Sequence, residues 1–152
     1  MKLATAGCPR NCLEATTKDL GVVAIGDGRW EVYVGGAAGS RVRKGDVLCV
    51  VDSHMEVLAY MERFMQYYRE HAKYLERTYD FVERIGIDRV RALLIDDVEG
   101  IGARLDADMQ SAVDAYVDPW QEANTPVHLA QFAGALEPVG SALETVAGGV
   151  NA

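Results

Sequence analysis

The hydrophobic pattern of this chain changes period once, near residue 52, and that change restricts the fold more than any other feature. Before it, short apolar runs punctuated by glycine read as strands. Gly21-Val22-Val23-Ala24-Ile25 ends at Gly26-Asp27-Gly28, and Trp30-Glu31-Val32-Tyr33-Val34 alternates, placing Trp30, Val32 and Val34 on one face before Gly35-Gly36. These runs predict a hairpin. A third strand is expected at Val47–Val51, where continuous apolar character predicts burial on both faces. After residue 52 the period becomes helical. Ser53-His54-Met55-Glu56 has the form of a capping box. Val57, Met61, Phe64, Met65, Tyr68 and Ala72 follow at helical spacing, and Leu75, Tyr79 and Val82 carry the stripe on to Gly86. Further helices are expected from Asp88 to Leu94 and from Leu105 to Tyr116, ahead of Pro119. The fold class this predicts is α+β: a short antiparallel sheet region over residues 1–51, then a helical region over 52–122. Residues 123–152, rich in Gly, Ala and Pro, are expected to form a loosely ordered tail.

Length and charge narrow the function classes. At 152 residues the chain is one domain or a large piece of a bigger one. No stretch reaches the roughly 18 apolar residues that span a bilayer, and the N-terminus lacks a signal-peptide pattern. The expected location is cytoplasmic, with no membrane partner. Net charge is −8: residues 1–50 carry seven Lys/Arg against five Asp/Glu, residues 51–152 eight against eighteen. Nucleic acid is therefore not an expected partner, because phosphate binding needs clustered cations. The mildly basic first third, with Arg10, Lys18, Arg41, Arg43 and Lys44, suits a small anion or an anionic cofactor, the competing reading of each residue being a solvated surface charge.

The candidate chemistry lies in Gly7-Cys8-Pro9-Arg10-Asn11-Cys12. Two thiols four positions apart, with Gly and Pro shaping the backbone, read as half of a metal or cluster site; the competing reading is two small core residues. Arg10 lies beside them and favours thiolate character, and Asn11 adds an amide. The remaining cysteine, Cys49, sits in the apolar run Val47–Val51 and reads as core. A cubane iron–sulfur cluster takes four thiolates and a structural zinc site four N or S ligands. His54, His71 and His128 have no partner at ligand spacing. No nucleophile elbow, Walker loop or dinucleotide fingerprint is present. Gly35-Gly36-Ala37-Ala38-Gly39 reads either as a strand stop or as backbone that comes close to a flat ligand. No catalytic side chain is identified.

Gly7-Cys8-Pro9-Arg10-Asn11-Cys12 with Glu14-Ala15 and Lys18-Asp19-Leu20-Gly21-Val22-Val23 resembles the second cysteine pair of the siroheme–iron-sulfur nitrite and sulfite reductases. The resemblance is greatest to the large subunits of assimilatory NAD(P)H nitrite reductases. It continues through Trp30–Gly36, Leu48-Cys49, Tyr67-Tyr68-Arg69-Glu70, Tyr74–Thr78 and Glu83-Arg84-Ile85-Gly86. It implies that Cys8 and Cys12 ligate a [4Fe-4S] cluster, with Cys12 also bridging to the siroheme iron. It further implies that Arg10, Asn11, Gly35 and Gly36 line the siroheme, and that Arg41, Arg43 and Lys44 neutralise its carboxylates. The substrate it implies is nitrite, reduced to ammonia by six electrons. FAD and NAD(P)H are expected on a missing N-terminal part of the reductase, which would also carry the first cysteine pair; a small subunit is a further expected partner. The chain is thus expected to be a C-terminal piece, inactive alone, with cluster and siroheme both incomplete within it. Two other readings stay open: a sulfite reductase haemoprotein piece, and a non-catalytic helical interaction module.

Overall fold

The computed structural model describes residues 1–122, so the tail expected over 123–152, with His128, lies outside the described residues. The chain divides into two compact units, Met1–Ala115 and Tyr116–Ala152. Of the second, one short helix is described, α5 (Pro119–Glu122), where the backbone N–H of Trp120 donates to the Asp118 carboxylate at 2.9 Å.

In the first unit the α+β class holds. Four strands form one sheet in the order β1 (Leu3–Ala6), β2 (Leu20–Gly26), β3 (Arg29–Val34), β6 (Asp46–Val51). The predicted hairpin is β2–β3, turning through Asp27 and Gly28, both at positive φ as a two-residue turn of the primed type requires. Strand β1 was not anticipated. It pairs parallel to β2, so the sheet is mixed, with β1 at one edge. Two short strands, β4 (Ala37–Ala38) and β5 (Val42–Arg43), pair with each other beyond the end of β3.

Helices cover one face of this sheet. Leu20, Val22, Val32, Val34, Leu48 and Val51 meet the buried side chains of α1 (His54–His71), α2 (Thr78–Ile85), α3 (Ile87–Leu94) and α4 (Gly102–Asp114) in the main core. Trp30, Val32 and Val34 share that face as the alternation predicts, and Met61 and Phe64 of the α1 stripe are core. Strand β6 is not buried on both faces as expected: Val50 is 48% exposed. A bulge opposite Val32 and Tyr33 shifts the register at Leu48, so Leu48 and Val51 both reach the helix side while Val50 points away at a sheet edge.

The helical stripe also breaks where continuity was expected. Helix α1 stops at Ala72, which is extended, and Leu75 adopts φ 59°. Tyr74 and Leu75 lie exposed. The Glu76 N–H donates to the Lys73 carbonyl at 3.0 Å, and the Lys73 N–H donates to the Glu76 carboxylate at 2.8 Å. Arg84 holds that carboxylate at 2.7 Å and the His71 carbonyl at 3.1 Å, keeping the Glu76 pKa down to about 2. The break turns α2 back so that Phe81 meets Phe64, Tyr67 and Tyr68 edge-on. A single rod would carry Phe81 away from the core. The capping box is present: Ser53 Oγ accepts from the Glu56 N–H at 3.2 Å.

The opposite face is covered by the chain between β1 and β2. Ala15, at the start of a 3₁₀ turn (Ala15–Thr17), is fully buried against Ala6, Val23 and Tyr33. Gly21 permits this contact: a Cβ there would lie 2.1 Å from the Ala15 carbonyl oxygen. Gly21→Ala is expected to push the crossing chain off the sheet and destabilise the protein by about 1–3 kcal/mol. Urea unfolding followed by circular dichroism measures it, and an unchanged midpoint would contradict the close packing.

Candidate metal centre

The cysteine loop leaves β1 at Ala6 and is shaped by its own backbone. The Asn11 N–H donates to the Cys8 carbonyl at 3.1 Å, closing a turn around Pro9 and Arg10. Asn11 and Glu14 both take left-handed φ, 51° and 52°. Asn is among the few side chains that tolerate this region. Its amide then fastens the loop, accepting from the Ala15 N–H at 2.7 Å and donating to Thr16 Oγ1 at 2.8 Å. Cys8 and Cys12 therefore stand exposed on a loop held by its own hydrogen bonds. Arg10 is exposed beside them and makes no ion pair among the described residues.

The loop is anchored at its far end. The Gly36 N–H donates to the Lys18 carbonyl, the Gly35 N–H to the Asp19 carbonyl, both at 3.0 Å, and the Gly45 N–H to the Thr16 carbonyl at 2.7 Å. A Cβ on Gly36 would lie 2.5 Å from the Lys18 carbonyl oxygen, so that approach is taken up by the chain itself. Asp19 is buried and accepts from the Lys2 N–H at 2.7 Å and from the Thr78 hydroxyl, tying the starts of β1, β2 and α2 together.

Thr16 links two of the predicted site residues: its Oγ1 accepts from the Asn11 amide at 2.8 Å, and its carbonyl oxygen lies 2.7 Å from the Cβ position of Gly36. Ala6 is level with Val23 and Gly35 with Asp19, four residues apart along β2, about 13 Å at strand rise. The cysteine loop begins at one end of the sheet, and Gly35 and Gly36 lie at the other. Gly36 lines a cleft of about 340 Å³ there with Lys2, Lys18, Ser40, Arg41 and Arg77. Arg41 is held by Glu83 at 3.0 Å and by Asp80 at 3.7 Å. Arg43 is engaged by Asp46 at 2.7 Å, Glu83 at 3.0 Å and the Gly35 carbonyl at 2.7 Å. Lys44 lies 5.4 Å over the Tyr33 ring.

A second hollow, of about 290 Å³, adjoins the cysteine loop, lined by Pro9, Asn11, Val23, Glu31, Tyr33 and Lys44. Burial, reinforced by donation to Glu31, pushes the Tyr33 phenol up to about 12. Glu31 and Tyr33 escaped the sequence reading, although strand alternation already puts them together on the face opposite Val32.

The donor chemistry fits half of a cubane site. Two exposed thiols on a fixed loop can act as thiolate ligands, and four are required. Among the described residues no three or more His, Cys, Asp or Glu side chains gather into a metal site. Cys49 packs against the main core, on the face away from the loop, and burial followed by the charge of Glu56 raises its thiol to about 11.

Residues 1–101 match the family described as the nitrite and sulphite reductase 4Fe-4S domain. Over 122 residues, 80% of this chain, it is 45% identical to the NAD(P)H nitrite reductase of Bacillus subtilis, of which the match covers 15%. The large subunit of the NADH nitrite reductase of Escherichia coli is 36% identical over 87% of the chain and 16% of its own length. An assimilatory-type sulfite reductase of Nitratidesulfovibrio vulgaris is 35% identical over 62% of the chain and 43% of its own length. The matches thus span between about a ninth and a sixth of the length of the nitrite reductases it resembles. No solved structure matches.

Two outcomes check the site. Asn11→Ala, which keeps the left-handed strain and loses both amide bonds, is expected to be less stable than Asn11→Gly by about 1 kcal/mol in urea unfolding. Equal midpoints would remove the conformational argument. Iodoacetamide at pH 8 is expected to label Cys8 and Cys12 well before Cys49, whose labelling should rise only as pH approaches about 11, because the thiolate is the reactive form. Mass spectrometry of the peptides reads it, and equal labelling at pH 8 would contradict the burial of Cys49. With its cysteine loop fixed on the sheet and the match spanning residues 1–101, this chain belongs to the nitrite and sulphite reductase 4Fe-4S domain family.

Proposed function

We propose that this chain acts as the C-terminal piece of the large subunit of an assimilatory NAD(P)H nitrite reductase. The observation that carries the reading is the pair of exposed thiols, Cys8 and Cys12, held on a loop by its turn, the Asn11 amide and the glycine anchors. The similarity to nitrite reductases over 80% and 87% of the chain supports it. When bound, the [4Fe-4S] cluster and siroheme supply the six-electron reduction of nitrite to ammonia. Cys8 and Cys12 would supply two of the four cluster thiolates, with Cys12 on the siroheme side. Arg10 would meet the cofactors from the same loop, which Asn11 shapes, and Gly35 and Gly36 would act by anchoring that loop through Lys18 and Asp19. The other two thiolates, FAD and NAD(P)H belong to the remainder of the reductase, acting in the cytoplasm with a small subunit.

The 35% identity to an assimilatory-type sulfite reductase favours sulfite as the second substrate to assay. No helix among the described residues is long and apolar enough to cross a membrane.

Anaerobic reconstitution with iron, sulfide and siroheme tests the proposal. The isolated chain is expected to give no stable cluster-plus-siroheme absorption spectrum. The chain combined with the remainder of the large subunit is expected to give one, which Cys8→Ser or Cys12→Ser abolishes. A stable spectrum on the isolated chain, or one that survives both substitutions, would refute it. Nitrite and sulfite turnover of the reconstituted assembly, measured side by side, selects between the two substrates.

A further inference from the structure

Strand β1 closes one edge of the sheet with nothing on its outer side among the described residues. The Lys2 carbonyl accepts from the Leu20 N–H, and the Lys2 N–H turns the same way to Asp19. By strand alternation, the peptide groups of Leu3 and Thr5 then point outward, without a partner among the described residues. Such an edge is a ready template for another strand, and this one carries neither a proline nor a charged side chain over Leu3–Ala6.

The helix layer stops short of the same edge. Leu3 and Thr5 are exposed, and beside them a groove of about 210 Å³ runs between sheet and helix, lined by Thr5, Val22, Trp30, His54, Val57 and Leu58. Leu58 is half exposed, and Met55 stands out beside it at the start of α1. Unpaired peptide groups and uncovered apolar side chains therefore lie side by side along one strand.

That strand runs directly into the cysteine loop, Ala6 preceding Cys8 by two residues. A cubane cluster needs two thiolates beyond this pair, and they must approach the same loop. A segment added along β1 would finish beside Cys8.

We propose that the free edge of β1 and its flanking groove are the docking surface for the remainder of the reductase large subunit. An extended segment of that part adds as a fifth strand beside β1 and lays alternate apolar side chains against Leu58 and Trp30. This rests on the reading of the chain as one part of a larger nitrite reductase. The main-chain bonds give the affinity, and the groove fixes the register.

The test uses the chain and the remainder of a nitrite reductase large subunit, the part carrying the other two cysteines, produced as separate polypeptides and mixed anaerobically with iron and sulfide. Amide exchange at Leu3 and Thr5 is expected to slow at least tenfold in the assembled complex, with slowing around Met55–Leu58 as well. Thr5→Pro removes one outward N–H and leaves the β1–β2 bonds intact, so it should keep the circular dichroism of the chain and weaken assembly at least tenfold. Leu58→Asp should do the same from the groove side. A cluster-bearing complex with unchanged exchange at Leu3 and Thr5 would overturn the docking surface and leave the reductase reading standing. Slowing confined to α1 would overturn the added strand. An isolated chain that dimerises until Thr5→Pro separates it would show that a second copy occupies the edge. Absence of both complex and cluster would overturn this proposal together with the function it rests on.

Discussion

The carbonyl oxygens of Ala15 and Lys18 sit where side chains on Gly21 and Gly36 would otherwise be, within 2.1 and 2.5 Å of the Cβ positions. Everything near the cysteines depends on that backbone-to-backbone approach. It lets the chain between β1 and β2 cross the sheet in contact with it, burying Ala15 completely and leaving the cysteines on the outer side of the crossing. Both faces of β2 and β3 are thereby covered, one by helices and one by the loop, although the sheet has only four strands. Hydrogen bonds from the Gly35, Gly36 and Gly45 N–H groups complete the attachment, so few side chains are needed to hold the loop.

Charge reinforces this arrangement more than it advertises a ligand. Glu83 draws in Arg41 and Arg43, and Asp19 pairs with Arg77 while accepting from the Lys2 backbone N–H and the Thr78 hydroxyl. Sequence counting treats such arginines as available to an anionic cofactor. In the fold, their guanidinium groups also meet carboxylates of the chain: Arg43 pairs with Asp46 three positions on and with Glu83 across 40, and Arg41 pairs with Glu83 across 42. Arg10, beside the cysteines, is the cation of the motif that the fold leaves uncommitted among the described residues.

Local signals were legible and long-range ones were not. The Asp27-Gly28 turn, the Ser53–Glu56 cap and the Trp30, Val32, Val34 face are written within a few residues of one another, and each is present. The pairing of β1 beside β2 was not visible, because a four-residue parallel edge strand lacks both length and a turn signature. The α1–α2 break was hidden for another reason. Its stripe keeps helical spacing across Leu75, and only Arg84 gripping Glu76 and His71, with Phe81 returned to the core, decides for two helices. Of the candidate site, the cysteines could be read from spacing and resemblance. That Asn11 works as a loop fastener, and that Gly35 and Gly36 lie at the far end of the sheet, required the register.

The left-handed residues Asn11 and Glu14 have one more consequence. Both sit where a side chain is disfavoured, so the bend between the two cysteines and the crossing chain is held by bonds that close on neighbouring residues: the Asn11 amide on Ala15 and Thr16, the Asn11 carbonyl on the Glu14 N–H and the Glu14 carbonyl on the Thr17 N–H. A substitution at either position would therefore be felt at Cys8 and Cys12 together, because both ends of the motif hang on the same bend.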